Sequence, residues 1–75
     1  MTPYRNLGGN SNVIAYEIGA GFINVKFSDS SVYLYTTQSA GAENIARMHD
    51  YATRGVGLNS FINTHVRKRY ERARR

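Results

Sequence analysis

The sequence predicts an α+β fold: a three-stranded antiparallel β-meander followed by two α-helices packed on one face, in the order β-β-β-α-α. Three observations predict it. Apolar residues alternate with period two in short runs up to residue 36, then recur at helical spacing, and glycine- or serine-rich turns separate the runs.

Residues 1–11 contain the only proline, the pair Gly8-Gly9 and two asparagines, with no periodicity, so a flexible N-terminal arm is expected there. The first strand, Asn12–Ile18, places Ile14, Tyr16 and Ile18 on one face and Val13, Ala15 and Glu17 on the other. Gly19-Ala20-Gly21 permits a tight reversal into Phe22–Phe27, where Ile23, Val25 and Phe27 oppose Phe22, Asn24 and Lys26. The cluster Ser28-Asp29-Ser30-Ser31 then turns the chain into Val32–Thr36, a run of β-branched and aromatic residues.

The period changes after residue 36. Thr37–Gly41 reads as a connection, with Ser39 as a helix cap. In Ala42–Arg54 the residues Ile45, Met48, His49 and Ala52 form an amphipathic stripe, and Gly55 and Gly57 end the helix. Asn59 is the expected N-cap of the last helix, stapled by Leu58, with Phe61, Ile62, His65, Val66, Arg69 and Tyr70 along one side. The basic segment 71–75 is expected to continue this helix and fray toward Arg75, which leaves residues 12–70 as the single domain.

The turn before the third strand decides which way its tyrosines face. A two-residue turn at Asp29-Ser30 pairs Phe27 with Val32, Lys26 with Tyr33, Val25 with Leu34 and Asn24 with Tyr35. The core face is then Ile23, Val25, Phe27, Val32 and Leu34, with Tyr33 and Tyr35 on the open face beside Phe22 and Lys26. A three-residue bulged loop shifts the register by one and reverses the assignment. The two-residue version is preferred because it keeps the aliphatic positions together.

Seventy-five residues without cysteine make one small domain with no disulfide staple, and self-association is the remaining way to add burial. No apolar run reaches the ~18 residues of a membrane span, and no charged-then-apolar leader opens the chain, so a soluble cytoplasmic protein is expected. The net charge of +5 is uneven. Residues 1–65 are neutral in sum, whereas 66–75 hold Arg67, Lys68, Arg69, Arg72, Arg74 and Arg75 against Glu71 alone. Guanidinium forks meet phosphate in bidentate fashion, and clustered arginine is what a polyanion selects. The plainer alternative is a solvated end that complements a helix dipole.

The strand centred on Tyr33-Leu34-Tyr35 and the closing run Gly57-Leu58-Asn59-Ser60-Phe61-Ile62-Asn63, continued by Val66-Arg67-Lys68-Arg69-Tyr70, resemble the KTSC domain. Ser11-Asn12-Val13-Ile14 and Val25-Lys26-Phe27 match its pattern too, so the resemblance covers residues 10–70. That family occurs alone in bacterial proteins and appended to some lysyl-tRNA synthetases, and the resemblance implies an RNA-binding role. The chain departs from its pattern in having Asp29-Ser30-Ser31 where the family has glycine, and Thr37-Gln38-Ser39 where it has a Val-Pro step.

Nothing in the spacing predicts catalysis. The five carboxylates are scattered, no serine sits in a nucleophile elbow, and the glycine pairs lack a strand-glycine-helix setting. His49 and His65 read as boundary side chains rather than metal ligands. No enzyme activity, cofactor, metal, membrane or small-molecule substrate is expected, and a chain this short leaves little room for a pocket of ~300 Å³.

The expected function is a small binding module for nucleic acid, RNA in preference to DNA. Arg67, Lys68, Arg69, Arg72, Arg74, Arg75 and Lys26 would hold phosphates, and Tyr33 and Tyr35 would stack unpaired bases. The alternative is a protein-interaction or homodimerising module that uses the tyrosine-bearing sheet face.

Overall fold

The computed structural model describes residues 1–9 and 11–74. The fold is α+β, with a meander at its centre as the periodicity requires, but the sheet has five antiparallel strands in the order β1-β2-β3-β4-β5. These are β1 (Thr2–Pro3), β2 (Val13–Gly19), β3 (Phe22–Phe27), β4 (Val32–Thr36) and β5 (Arg72–Arg74). Between β4 and β5 lie α1 (Thr37–Ala40), α2 (Ala42–Arg54) and α3 (Leu58–Phe61), the last continued by a π-helical stretch at Ile62–Val66.

Both added strands come from segments expected to be loose. The N-terminal arm pairs with β2 through Thr2↔Tyr16 and Pro3↔Ala15. Its Tyr4 is 7% exposed, and its hydroxyl accepts a hydrogen bond from the Leu58 N–H at 3.2 Å. The chain is held again where the Leu7 N–H donates to the Gly55 carbonyl at 2.7 Å. A large aromatic ring supplies burial that lack of periodicity does not reveal.

The tail is not a helical continuation either. After the π stretch the chain reverses, the Glu71 N–H donates to the Leu34 carbonyl, and β5 pairs with β4 through Leu34↔Arg72, Tyr33↔Ala73 and Val32↔Arg74. Within the π stretch the Thr64 hydroxyl donates to the Ser60 carbonyl at 2.9 Å, with the Phe61 carbonyl at 3.3 Å.

The register of the β3–β4 hairpin corrects the preferred two-residue turn. Ile23 pairs with Tyr35, Val25 with Tyr33 and Lys26 with Val32. Ser28, Asp29 and Ser30 form a three-residue loop, closed by hydrogen bonds from Phe27 N–H to Ser31 O and from Ser30 N–H to Phe27 O. Ser30 adopts φ 71°, the left-handed position that ends a bulged loop of this length. Asp29 fixes it by accepting from the Ser31 N–H at 3.0 Å and the Ser31 hydroxyl at 2.6 Å. Cross-strand partners share a face, so Tyr33 and Tyr35 join Ile23 and Val25 on the helix side, while Val32 and Leu34 join Lys26 and Asn24 on the other.

A bulge between Val13 and Ala15 makes the analogous correction in β2. It lets Val13, paired with Phe27, and Tyr16, paired with Val25, face the helices together, whereas Ile14 is 44% exposed.

The helices are closer to expectation. Ile45, Met48 and Ala52 of α2 are buried, and Gly55 closes that helix in the left-handed conformation at φ 79°. Thr36, rather than Ser39, caps α1, with Ser39 as the reciprocal partner three residues on. The last helix begins at Leu58 after Gly57, so Asn59 lies in its first turn instead of capping it. The core is Val13, Ile23, Val25 and Tyr35 from the sheet, packed on the α2 stripe and on Leu58, Phe61, Ile62 and Val66.

Candidate nucleic-acid interface

The expected site residues divide between two sides of the sheet. Tyr33 and Tyr35 face the helices, Arg67 and Lys68 close the π stretch on the same side, and Lys26, Arg72 and Arg74 belong to the helix-free face. Arg69 is exposed in the connection to β5, and Arg75 lies outside the described residues.

Tyr35 is not a surface residue. It is 1% exposed, and burial raises its phenol above the ordinary value of 10.0, with the Tyr33 and Tyr70 phenols adding to the effect. Tyr35 is therefore enclosed and Tyr33 half-buried on the helix side, so the two do not stand on the helix-free sheet face expected of them. The ring presented outward is Tyr70, which is 36% exposed. It meets Tyr33 edge to face at 4.8 Å and 88°, and Tyr35 at 6.5 Å and 90°. Phe27 meets Tyr33 at 5.4 Å and 87°, which completes an aromatic cluster.

Beside this cluster opens a cleft of about 480 Å³. It is open to solvent rather than a sheltered pocket. The cleft forms where the last helix stands off the β3–β4 loop. Asn59, Asn63 and Arg67, each four residues apart, line its helical wall. In a regular helix, residues four apart drift by roughly 40° per step. Here the row runs from α3 through the π-helical stretch into the turn that follows it, and all three residues line the cleft. Tyr33, Tyr35 and Tyr70 line the opposite side, with Asp29, Ser31 and Asn12 at the loop end and Lys68 next to Arg67. The Asn59-Asn63-Arg67 spacing was present in the sequence, but Asn59 reads there as a cap, and only the turn of the helix toward the sheet places the row along a cleft.

The helix-free face has a different surface. Arg72 stands across from Leu34 and Arg74 across from Val32, with Asn24 and Lys26 on the next strand. A shallow depression of about 270 Å³ lies between Asn24, Val32, Leu34, Arg72 and Arg74. Alternation along β5 sends only Ala73 toward Tyr33.

The cations of residues 66–74 are distributed over both surfaces. Arg67, Lys68, Arg69, Arg72 and Arg74 are all exposed, and no ion pair joins any of them to a carboxylate among the described residues. Glu71, within this run, accepts a hydrogen bond from the Thr36 hydroxyl at 2.9 Å. The charges of α2 cancel locally through Arg47–Glu43 at 3.3 Å and Arg54–Asp50 at 3.2 Å.

Both histidines have structural surroundings. His49 Nε2–H donates to the Phe22 carbonyl at 2.8 Å, and His65 stacks on Phe61 with centroids 4.4 Å apart. Among the described residues no three His, Cys, Asp or Glu side chains gather as metal ligands, and no helix is long and apolar enough to cross a membrane. No family model, curated protein or solved structure matches this chain.

Proposed function

We propose that this protein is a non-enzymatic module that binds single-stranded nucleic acid, RNA in preference to DNA. The observation that carries the reading is the corner formed by the end of the last helix and β5. Five exposed cations, none joined to a carboxylate among the described residues, lie along the segment that also carries the outward Tyr70. Unpaired guanidinium and ammonium groups attract phosphates and release their counterions, and an exposed ring offers a base a surface worth about 1–3 kcal/mol. The amides of Asn59 and Asn63 nearby both donate and accept, as the base edges and 2′-hydroxyls of unpaired RNA require. The motif resemblance to the KTSC domain points the same way. Tyr70 takes the stacking role in this reading, because Tyr35 is enclosed and Tyr33 half-buried.

Titration of a short labelled single-stranded RNA tests the proposal. If four phosphates are engaged, affinity falls by roughly 50-fold between 50 and 200 mM salt, with a logarithmic slope of about −2.8. Arg67→Gln with Lys68→Gln, and separately Arg72→Gln with Arg74→Gln, each reduce that slope by about 1.4. Undetectable binding, or affinity that ignores salt and both double substitutions, would refute it.

A further inference from the structure

The cleft between the last helix and the tyrosine cluster has features that a general polyanion surface does not need. Its volume of about 480 Å³ falls within the ~300–1,000 Å³ of sites that enclose small molecules. Tyr33 and Tyr70 are in contact at 4.8 Å and 88°, the edge of one on the face of the other, and both line the cleft, so their planes make a perpendicular corner there. A planar heteroaromatic ring is the natural occupant of such a corner, because it can stack on one wall and meet the other edge to face.

The polar lining narrows the choice further. Arg67 and Lys68 supply two positive charges and Asp29 one negative charge. Asp29 is committed to the loop through its bonds to the Ser31 N–H and hydroxyl. Among the described residues the lining thus sets two adjacent cations, Arg67 and Lys68, where one phosphate group can lie against both. Asn63 lies in the same row as Arg67 and offers an amide that reads a base edge by donating and accepting at once.

We propose that this cleft is a mononucleotide subsite. It takes one unpaired nucleotide, with the base in the Tyr33–Tyr70 corner and the phosphate against Arg67 and Lys68. This rests on the nucleic-acid reading above and adds to it a bounded position that holds a single nucleotide. Arg72 and Arg74, whose side chains leave β5 on the opposite face of the sheet, contact neighbouring phosphates of the strand and not this one.

The test compares the four ribonucleoside 5′-monophosphates with the unphosphorylated nucleosides, inorganic phosphate and the triphosphates, followed by chemical-shift changes of the full-length protein. At least one monophosphate is expected to bind roughly tenfold tighter than its nucleoside or inorganic phosphate, with shifts at Tyr70, Asn63 and Arg67. Its triphosphate gains little over it. Arg67→Gln with Lys68→Gln removes roughly tenfold of monophosphate affinity, while Arg72→Gln with Arg74→Gln leaves it unchanged and still weakens the oligonucleotide. Both pairs are exposed, so the fold survives them, and thermal melting verifies that. Oligonucleotide binding with no preference for a monophosphate over inorganic phosphate, or shifts confined to the Arg72–Arg74 face, would overturn the subsite alone. Absence of oligonucleotide binding would overturn the reading it rests on.

Discussion

Tyr35 is 1% exposed and Tyr70 36% exposed, although both rings belong to one aromatic cluster. Position in the register separates them: Tyr35 pairs with the fully buried Ile23, while Tyr70 lies past the last helix with no strand partner. Enclosure shifts the Tyr35 phenol upward from 10.0, so the folded state favours the protonated ring more than the unfolded state does. That stabilisation is complete below about pH 10 and is lost as pH rises through the raised folded value. In an alkaline titration followed by tyrosinate absorbance, one of the six tyrosines should therefore ionise late, together with unfolding. Tyr35→Phe should remove this contribution to alkaline unfolding; parallel loss of stability in both proteins above pH 10 would contradict the assignment.

The element that sets the architecture is the loop Ser28–Ser30. Asp29 and Ser30 carry no glycine signal for either loop length, and the aliphatic residues alone favour the register that is not adopted. The observed loop puts a serine at φ 71°, where a Cβ costs about 1–2 kcal/mol. Ser30→Gly relieves that cost but frees the unfolded chain, so a net gain of up to about 1 kcal/mol is expected. For a domain this size the melting temperature would then rise by roughly 4–8 °C. A loss of stability on that substitution would show that the left-handed residue is not the strained point of the turn. Because the bulged loop turns the tyrosines inward, this hairpin determines which rings can meet a ligand.

On the scale of the whole molecule, the positive surplus is carried on a folded edge rather than on a trailing end. β5 fixes Arg72 and Arg74 on a sheet edge a few residues after the exposed Arg67, Lys68 and Arg69, and repulsion within this like-charged segment opposes folding. Added salt shortens the screening length from roughly 30 Å at 0.01 M to 8 Å at 0.15 M. Thermal stability should accordingly rise by about 2–4 °C over that range while RNA affinity falls, two effects of opposite sign from one charge cluster. Arg72→Gln with Arg74→Gln should flatten both trends. A melting temperature that falls with salt would indicate that these cations are paired in the folded protein.

Spacing and composition were sufficient for the α+β class, the three central strands, the stripe Ile45-Met48-Ala52, the left-handed end of α2 at Gly55 and the position of the charge surplus. Each is local, because a period or a turn residue acts within a few neighbours. Long-range pairing settled everything else: the burial of Tyr4 under Leu58, the capture of the tail as β5, the sides occupied by Tyr33 and Tyr35, and the cleft beside them. A strand's faces exchange with a slip of one residue, and an edge pairs with whatever segment returns to it, so neither outcome is encoded in the residues nearest to it.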